Sequence, residues 1–305
     1  MDNKKFFYKF KNINKYTYDS LKNKYFYFST PEELNDPEDC RCPISYTSSD
    51  ENILNWIEHA KILWERKGRD QKSFPFDTVE KVKKAVGPGG ELKKILDKTE
   101  KEALNRFHLL SLTDNWTNRK MWETPNYCDN FTGICISYKA YQLQAPQFDS
   151  YFIKVDKNQS LEASFFFKYR DSELYFILRK IEYDNDRQHY YCPFEESYDK
   201  NYMLIPSAEN GNKKNVEYNL FHKTKQWSEE NEYRGCYLNL SGSDNQKVRY
   251  KDETLESIIF GYKVKPDEIA KIKNIIQIYY QNYKEIKFYR AESDDSSTIV
   301  KRIVI

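Results

Sequence analysis

The sequence predicts an α+β fold, a single domain over residues 1–305 with a helical insertion at about 51–108. Three observations carry this expectation. Short aromatic runs of strand type occur near both ends of the chain and through its middle. Apolar residues at helical spacing gather in one stretch. No internal repeat and no Gly-, Ser- or Pro-rich linker divides a chain that has only 9 Gly and 10 Pro.

Taken in order, Phe6 to Phe10 alternates around lysine and reads as a strand, followed by helical turns from Tyr16 to Lys24 and a second strand from Tyr25 to Ser29. Ser29 and Thr30 before Pro31 and Glu32-Glu33 form a helix start that runs into the turn Asn35-Asp36-Pro37. Ile53, Trp56, Ile57, Ala60, Leu63 and Trp64 recur at helical spacing over Glu51–Lys67. The break Gly87-Pro88-Gly89-Gly90 then separates helices at about Thr78–Ala85 and Glu91–His108. Strands are expected at Leu109–Leu112, Gly133–Tyr138, Tyr151–Lys154 and Lys180–Tyr183. Asp156–Leu174 fits a strand or a helix, and Tyr190–Glu209 matches no pattern. Further strands follow at Glu230–Leu240, Leu255–Phe260 and Glu285–Tyr289, with a helix at Pro266–Gln277.

A net charge of +2 with 31% charged residues gives no global pull toward nucleic acid or membrane. The 26 Tyr and 19 Phe read first as the codon bias of an AT-rich genome and second as stacking platforms. Cys40-Arg41-Cys42 is too close for an ordinary disulfide, and Cys128, Cys135, Cys192 and Cys236 lack zinc spacing. Reduced thiols, no metal and a cytoplasmic location are the expectation. No run nears 18 apolar residues, so no membrane span is expected. His59, His108, His189 and His222 are isolated, and there is no Walker loop and no Gly-x-Gly-x-x-Gly.

Most chemistry is concentrated in Trp227-Ser-Glu-Glu230-Asn-Glu232-Tyr-Arg234-Gly235. On a strand running from Glu230, alternation puts Glu230, Glu232 and Arg234 on one face and Tyr233 on the other. Cys236 continues the charged face unless the strand bulges at Gly235. The competing reading is a solvated edge strand whose Glu–Arg pair contributes little.

The order Lys223, Trp227, Glu230, Glu232, Tyr233, Arg234 resembles the Trp-x-x-Glu-x-Glu-Tyr-Arg signature of a bacterial family, domain of unknown function 2971. Phe7-Tyr8-Lys9-Phe10, Tyr27-Phe28-Ser29-Thr30-Pro31 and Asn35-Asp36-Pro37 are similar to its opening. Leu110-Ser111-Leu112, Met121-Trp122 and Gly133-Ile134-Cys135-Ile136 are similar to its middle. The layout of an aromatic and basic first strand, Ser-Thr after the second, and Glu-x-Glu on a late strand also resembles the ADP-ribosyltransferase fold, with its mixed or antiparallel sheet core. That resemblance implies NAD as substrate and a macromolecular acceptor, protein or nucleic acid. Tyr8 and Lys9 would contact NAD, Ser29 and Thr30 would support the nicotinamide ribose, and Trp227 and Arg234 would complete the binding site. Glu232 would hold the ribose hydroxyl and Glu230 would orient the nucleophile. Such enzymes look like toxins or effectors of phage defence. The expectation is that Tyr8, Lys9, Ser29, Trp227, Glu230, Glu232 and Arg234 converge.

Two other classes compete. A metal-dependent nuclease would use Glu285-Ile286-Lys287 with Asp252 or Asp267. A non-catalytic sensor would use Trp116, Trp122, Tyr127 and Trp227 as an aromatic pocket.

Overall fold

The computed structural model describes residues 4–36, 38–41, 43–142, 150–156, 167–170, 173–185, 190–195, 218–239, 246–293 and 300–305. Within them the chain forms two compact units, one of residues 1–35, 106–183 and 224–305, the other of 36–105 and 184–223. In chain order the elements are β1 (Lys4–Lys11), α1 (Lys15–Lys22), β2 (Tyr25–Tyr27), α2 (Asp50–Arg66), α3 (Val79–Ala85), α4 (Glu91–Leu104) and β3 (Phe107–Thr113). Then come α5 (Arg119–Glu123), β4 (Ile134–Gln142), β5 (Ser150–Val155), β6 (Phe167–Arg170), β7 (Glu173–Lys180), β8 (Glu182–Asp184), β9 (His222–Thr224) and β10 (Glu232–Leu238). The last are β11 (Lys247–Arg249), β12 (Leu255–Phe260), α6 (Pro266–Tyr279), β13 (Lys287–Ser293) and β14 (Val300–Val304).

In the larger unit, β1, β3, β10, β7, β5 and β4 pair antiparallel in that order, and β4 pairs back onto β1, closing a six-stranded barrel. The sheet continues from β4 through β12, which runs parallel to β13, and on to β14. The lumen is identified by three rings. Phe7 on β1, Tyr151 on β5 and Tyr233 on β10 lie on strands that are not neighbours, yet their centroids are 4.7–5.7 Å apart. Only a crossing of the barrel interior allows this. Phe176 joins from β7 and meets Phe26 and Phe28, which follow α1 into the same core. Lys5 closes one end. Its amine lies over the Phe7, Tyr151 and Tyr233 rings and donates to Asp114 at 2.9 Å.

Helix α1 starts where the Asn14 side chain accepts from the Tyr16 and Thr17 amides, and it ends with Lys24 in a left-handed conformation at φ 53°. Helix α6 opens on Pro266 and buries Ile272 and Ile276 against the β12 side of the sheet core. The smaller unit packs α2, α3 and α4 around its own core of Ile53, Ile57, Phe74, Val82, Leu92, Cys192 and Phe194. Within it Lys223 and Asp39 form a buried ion pair at 3.4 Å.

The strand expected from Lys180 begins earlier, at Glu173, because Leu174–Leu178 is an apolar stretch that pairs with β5 and continues into the pairing with β10. Strands β11 and β14 and helix α5 fall outside the sequence expectations. They are three to five residues long, too short to show a period. Most of the ambiguous stretch 156–174 and of 190–209, together with Pro37 and Cys42, lies outside the described residues. Cys40, Cys128, Cys135, Cys192 and Cys236 are buried and outside any disulfide.

Candidate functional site

The register of β1, β3 and β10 builds a polar row on the outer face of the barrel. Tyr8 pairs with Thr113, and Thr113 pairs with Glu232. Directly paired residues share a face, so these three side chains stand in line over two strand spacings, about 10 Å. One step along, Arg234 pairs with Ser111 on one side and with Arg179 of β7 on the other. The opposite face of β10 carries Tyr233 and Tyr237 into the interior core. The pairing of β10 with β3 is unbroken from Glu232 to Leu238, so there is no bulge at Gly235, and Cys236 continues the charged face. Gly235 faces inward instead. A Cβ there would lie 3.0 Å from the Phe176 ring, so its lack of a side chain makes room for that ring.

The solvated edge strand is overturned. Strand β10 lies between β3 and β7, with Glu232 3% and Arg234 0% exposed. The Arg234 Nε donates to Glu232 Oε1 at 2.7 Å, and the Ser111 hydroxyl donates to the same oxygen at 2.5 Å. A carboxylate held by a guanidinium and a hydroxyl has a fixed position and a nearby compensating charge. The Tyr183 hydroxyl fastens the start of the strand by accepting from the Glu232 amide at 2.9 Å.

Glu230 is placed differently from the expectation. The strand starts at Glu232, and Asn231 before it adopts φ 45°, so strand alternation does not extend back to Glu230. Glu230 ends a 3-10 turn, Lys225–Glu230, which also carries Trp227. It is 6% exposed and accepts from the Tyr127 hydroxyl at 2.7 Å. Asn35 reaches the same hydroxyl at 3.4 Å, and Asn118 donates to the Glu229 carbonyl at 2.6 Å, tying the turn to the segment before α5.

The other expected residues divide. Lys9 has inward parity, opposite to Tyr8, and donates to the Ser111 carbonyl at 2.8 Å. It fills the seam beyond Tyr8–Thr113, the one register pair of β1 and β3. Ser29 bridges Leu109 through both backbone groups, four residues along β3 from Thr113 and so roughly 13 Å from it. Thr30 starts the 3-10 turn Pro31–Glu33, its amide bonded to the Glu33 carboxylate at 2.9 Å. Register thus gathers Tyr8, Glu232 and Arg234 on one face and leaves Lys9 and Thr30 with structural partners. It adds Ser111, Thr113 and Arg179, which sequence reasoning missed. Ser111 lies in Leu110-Ser111-Leu112, a motif already noted, but nothing local marked it as the partner of a residue 121 positions away.

The rival constellations fare otherwise. Lys287 pairs with Glu256 at 3.0 Å and Asp252 with Lys24 at 2.6 Å, while Glu285 is exposed. Among the described residues no group of three or more His, Cys, Asp and Glu is arranged to hold a metal ion. Trp122 is fully buried and stacked on Phe131 in a core cluster with Tyr8 and Phe10. No helix among the described residues is long and apolar enough to cross a membrane.

The family model described as "Protein of unknown function (DUF2971)" matches residues 121–235. The match takes in Trp227, Glu230, Glu232 and Arg234 and begins well after β1 and β2, which it leaves out. No curated protein and no solved structure matches the chain.

Proposed function

We propose that the outer-face row around Glu232 is the active site of an ADP-ribosyltransferase-like enzyme that cleaves NAD and transfers ADP-ribose to a macromolecular acceptor. One observation carries the reading. The Glu232 carboxylate is fixed by Arg234 and Ser111 and stands in register with Thr113 and Tyr8 on a single face.

In the reaction the bond between ribose C1′ and the nicotinamide nitrogen breaks, and its electron pair leaves with neutral nicotinamide. Positive charge builds on the ribose. A carboxylate whose position is already fixed stabilises that charge without reorganising, which is the larger part of what such a site contributes. The acceptor's lone pair then forms the new bond to C1′, and the acceptor gives up a proton. Glu230, outside the Glu232–Arg234 pair and bonded to Tyr127, is the second carboxylate, suited to orient the acceptor. Tyr8 stands two strand spacings away on the same face, where it packs in the buried cluster with Phe10 and Trp122 and backs the row.

The test is nicotinamide release from NAD with cell extract, protein or RNA as acceptor. Glu232→Gln should lower it about a hundredfold or more, a few kcal/mol of lost electrostatic stabilisation. Glu230→Gln should impair transfer more than NAD hydrolysis. A wild-type chain that releases no nicotinamide and shows no melting shift with NAD ends the proposal.

A further inference from the structure

Among the described residues, Asp129, Asn130 and Phe131 form a run of three left-handed residues, at φ 40°, 54° and 66°. Aspartate and asparagine tolerate this conformation but phenylalanine does not, so the last of the three must be held by its surroundings. Its ring stacks on Trp122 with centroids 5.4 Å apart, its amide donates to the Trp122 carbonyl at 2.9 Å, and its carbonyl lies where a Cβ on Gly261 would stand. The run turns the chain back toward β4.

What this strained turn holds in place is Tyr127. Its hydroxyl donates to Glu230 Oε1 at 2.7 Å and is approached by the Asn35 side-chain amide at 3.4 Å. An oxygen that accepts from an amide turns its own proton the other way, here onto the carboxylate. Asn118, which caps α5, donates to the Glu229 carbonyl at 2.6 Å, so the segment from Asn118 to Tyr127 grips two successive residues of the Lys225–Glu230 turn. All of these residues belong to the larger unit.

We propose that Tyr127 is a positioning residue, which through Glu230 sets how ADP-ribose is divided between a macromolecular acceptor and water. It rests on the Glu232 row being the site of NAD cleavage. As the acceptor's lone pair takes the place of nicotinamide on C1′, the acceptor's proton passes to Glu230, and the carboxylate must face the acceptor at that moment. A bound macromolecule cannot shift to suit a misplaced carboxylate, whereas water can.

NAD labelled on its adenosine half, supplied with cell extract, reports transfer as label bound to macromolecule and hydrolysis as free ADP-ribose. Tyr127→Phe removes only the hydroxyl and should lower the ratio of transfer to hydrolysis about tenfold, as expected for the loss of one hydrogen bond to a charged group. Tyr127→Phe/Glu230→Gln should show the ratio of Glu230→Gln alone, because the tyrosine acts through that carboxylate. Asn35→Ala, an exposed change, should lower the ratio by a smaller factor and serves if Tyr127→Phe melts early. A purely structural tyrosine would depress both outputs together. An unchanged ratio, a double variant with a further loss, or a wild type that hydrolyses NAD without transfer overturns the proposal while NAD cleavage at the Glu232 row stands. A wild type that releases no nicotinamide overturns both.

Discussion

The two faces of strand β10 are equally buried and chemically opposite. Inward, Tyr233 and Tyr237 join the interior core and Gly235 yields to Phe176. Outward, Glu232, Arg234 and Cys236 are as inaccessible as the tyrosines behind them. Burial of aromatic surface stabilises the barrel directly. A buried Glu–Arg pair does not, since the cost of desolvating both charges roughly cancels their attraction, and apolar residues of similar size often do as well or better. The inner face thus accounts for the fold. The outer face carries a cost that folding alone gives no reason to bear.

The contrast can be broken most forcefully at Arg234. Arg234→Met leaves the Glu232 carboxylate buried without its counter-charge, and chemical denaturation should show a loss of about 3–5 kcal/mol. An effect under about 1 kcal/mol would mean that Glu232 has other compensation.

Lys11 tests the cost of a charge with inward parity. Its stem is half-buried, and its amine is hydrogen-bonded to the Ser20 hydroxyl at 3.1 Å. Burial, with help from neighbouring Lys9, pulls its pKa down to about 8. Because the folded pKa is below the unfolded one, the unfolded chain binds more protons between the two values, so stability should rise with pH through that window. The rise should amount to about 2 kcal/mol between pH 8 and 10, measured as the difference between wild type and Lys11→Met, which removes it. Parallel stability curves for the two proteins would contradict this.

Two smaller changes sharpen the comparison. Gly235→Ala puts a methyl 3.0 Å from a Phe176 ring that is itself held by Phe26 and Phe28, and should cost about 1–2 kcal/mol by urea denaturation. Ser111→Ala, on the outer face, removes one hydrogen bond to Glu232 and should cost about 1 kcal/mol, with a larger proportional loss of nicotinamide release.

Much of this contrast was legible beforehand. Alternation alone separated Tyr233 from Glu232 and Arg234, because a period of two needs only local sequence. The reading failed at Glu230, where a single left-handed residue, Asn231, ended the alternation. At Gly235 it left a bulge open as the alternative, and the reason for the glycine lay instead in a ring on β7. Barrel closure, the arrival of Ser111 and Thr113 beside Glu232 and that of Arg179 beside Arg234 depend on strand register between distant segments. Register leaves no periodic mark on any one strand, and so those residues were out of reach.

The central claim, that the charged outer face serves chemistry rather than folding, is tested most directly by Glu232→Leu/Arg234→Met, measured for both stability and nicotinamide release. The account predicts a chain at least about as stable as the wild type, because the buried pair is replaced by apolar groups of similar size, and release reduced about a hundredfold or more. A double variant several kcal/mol less stable would make the pair structural. One that still releases nicotinamide at the wild-type rate would remove Glu232 from the reaction.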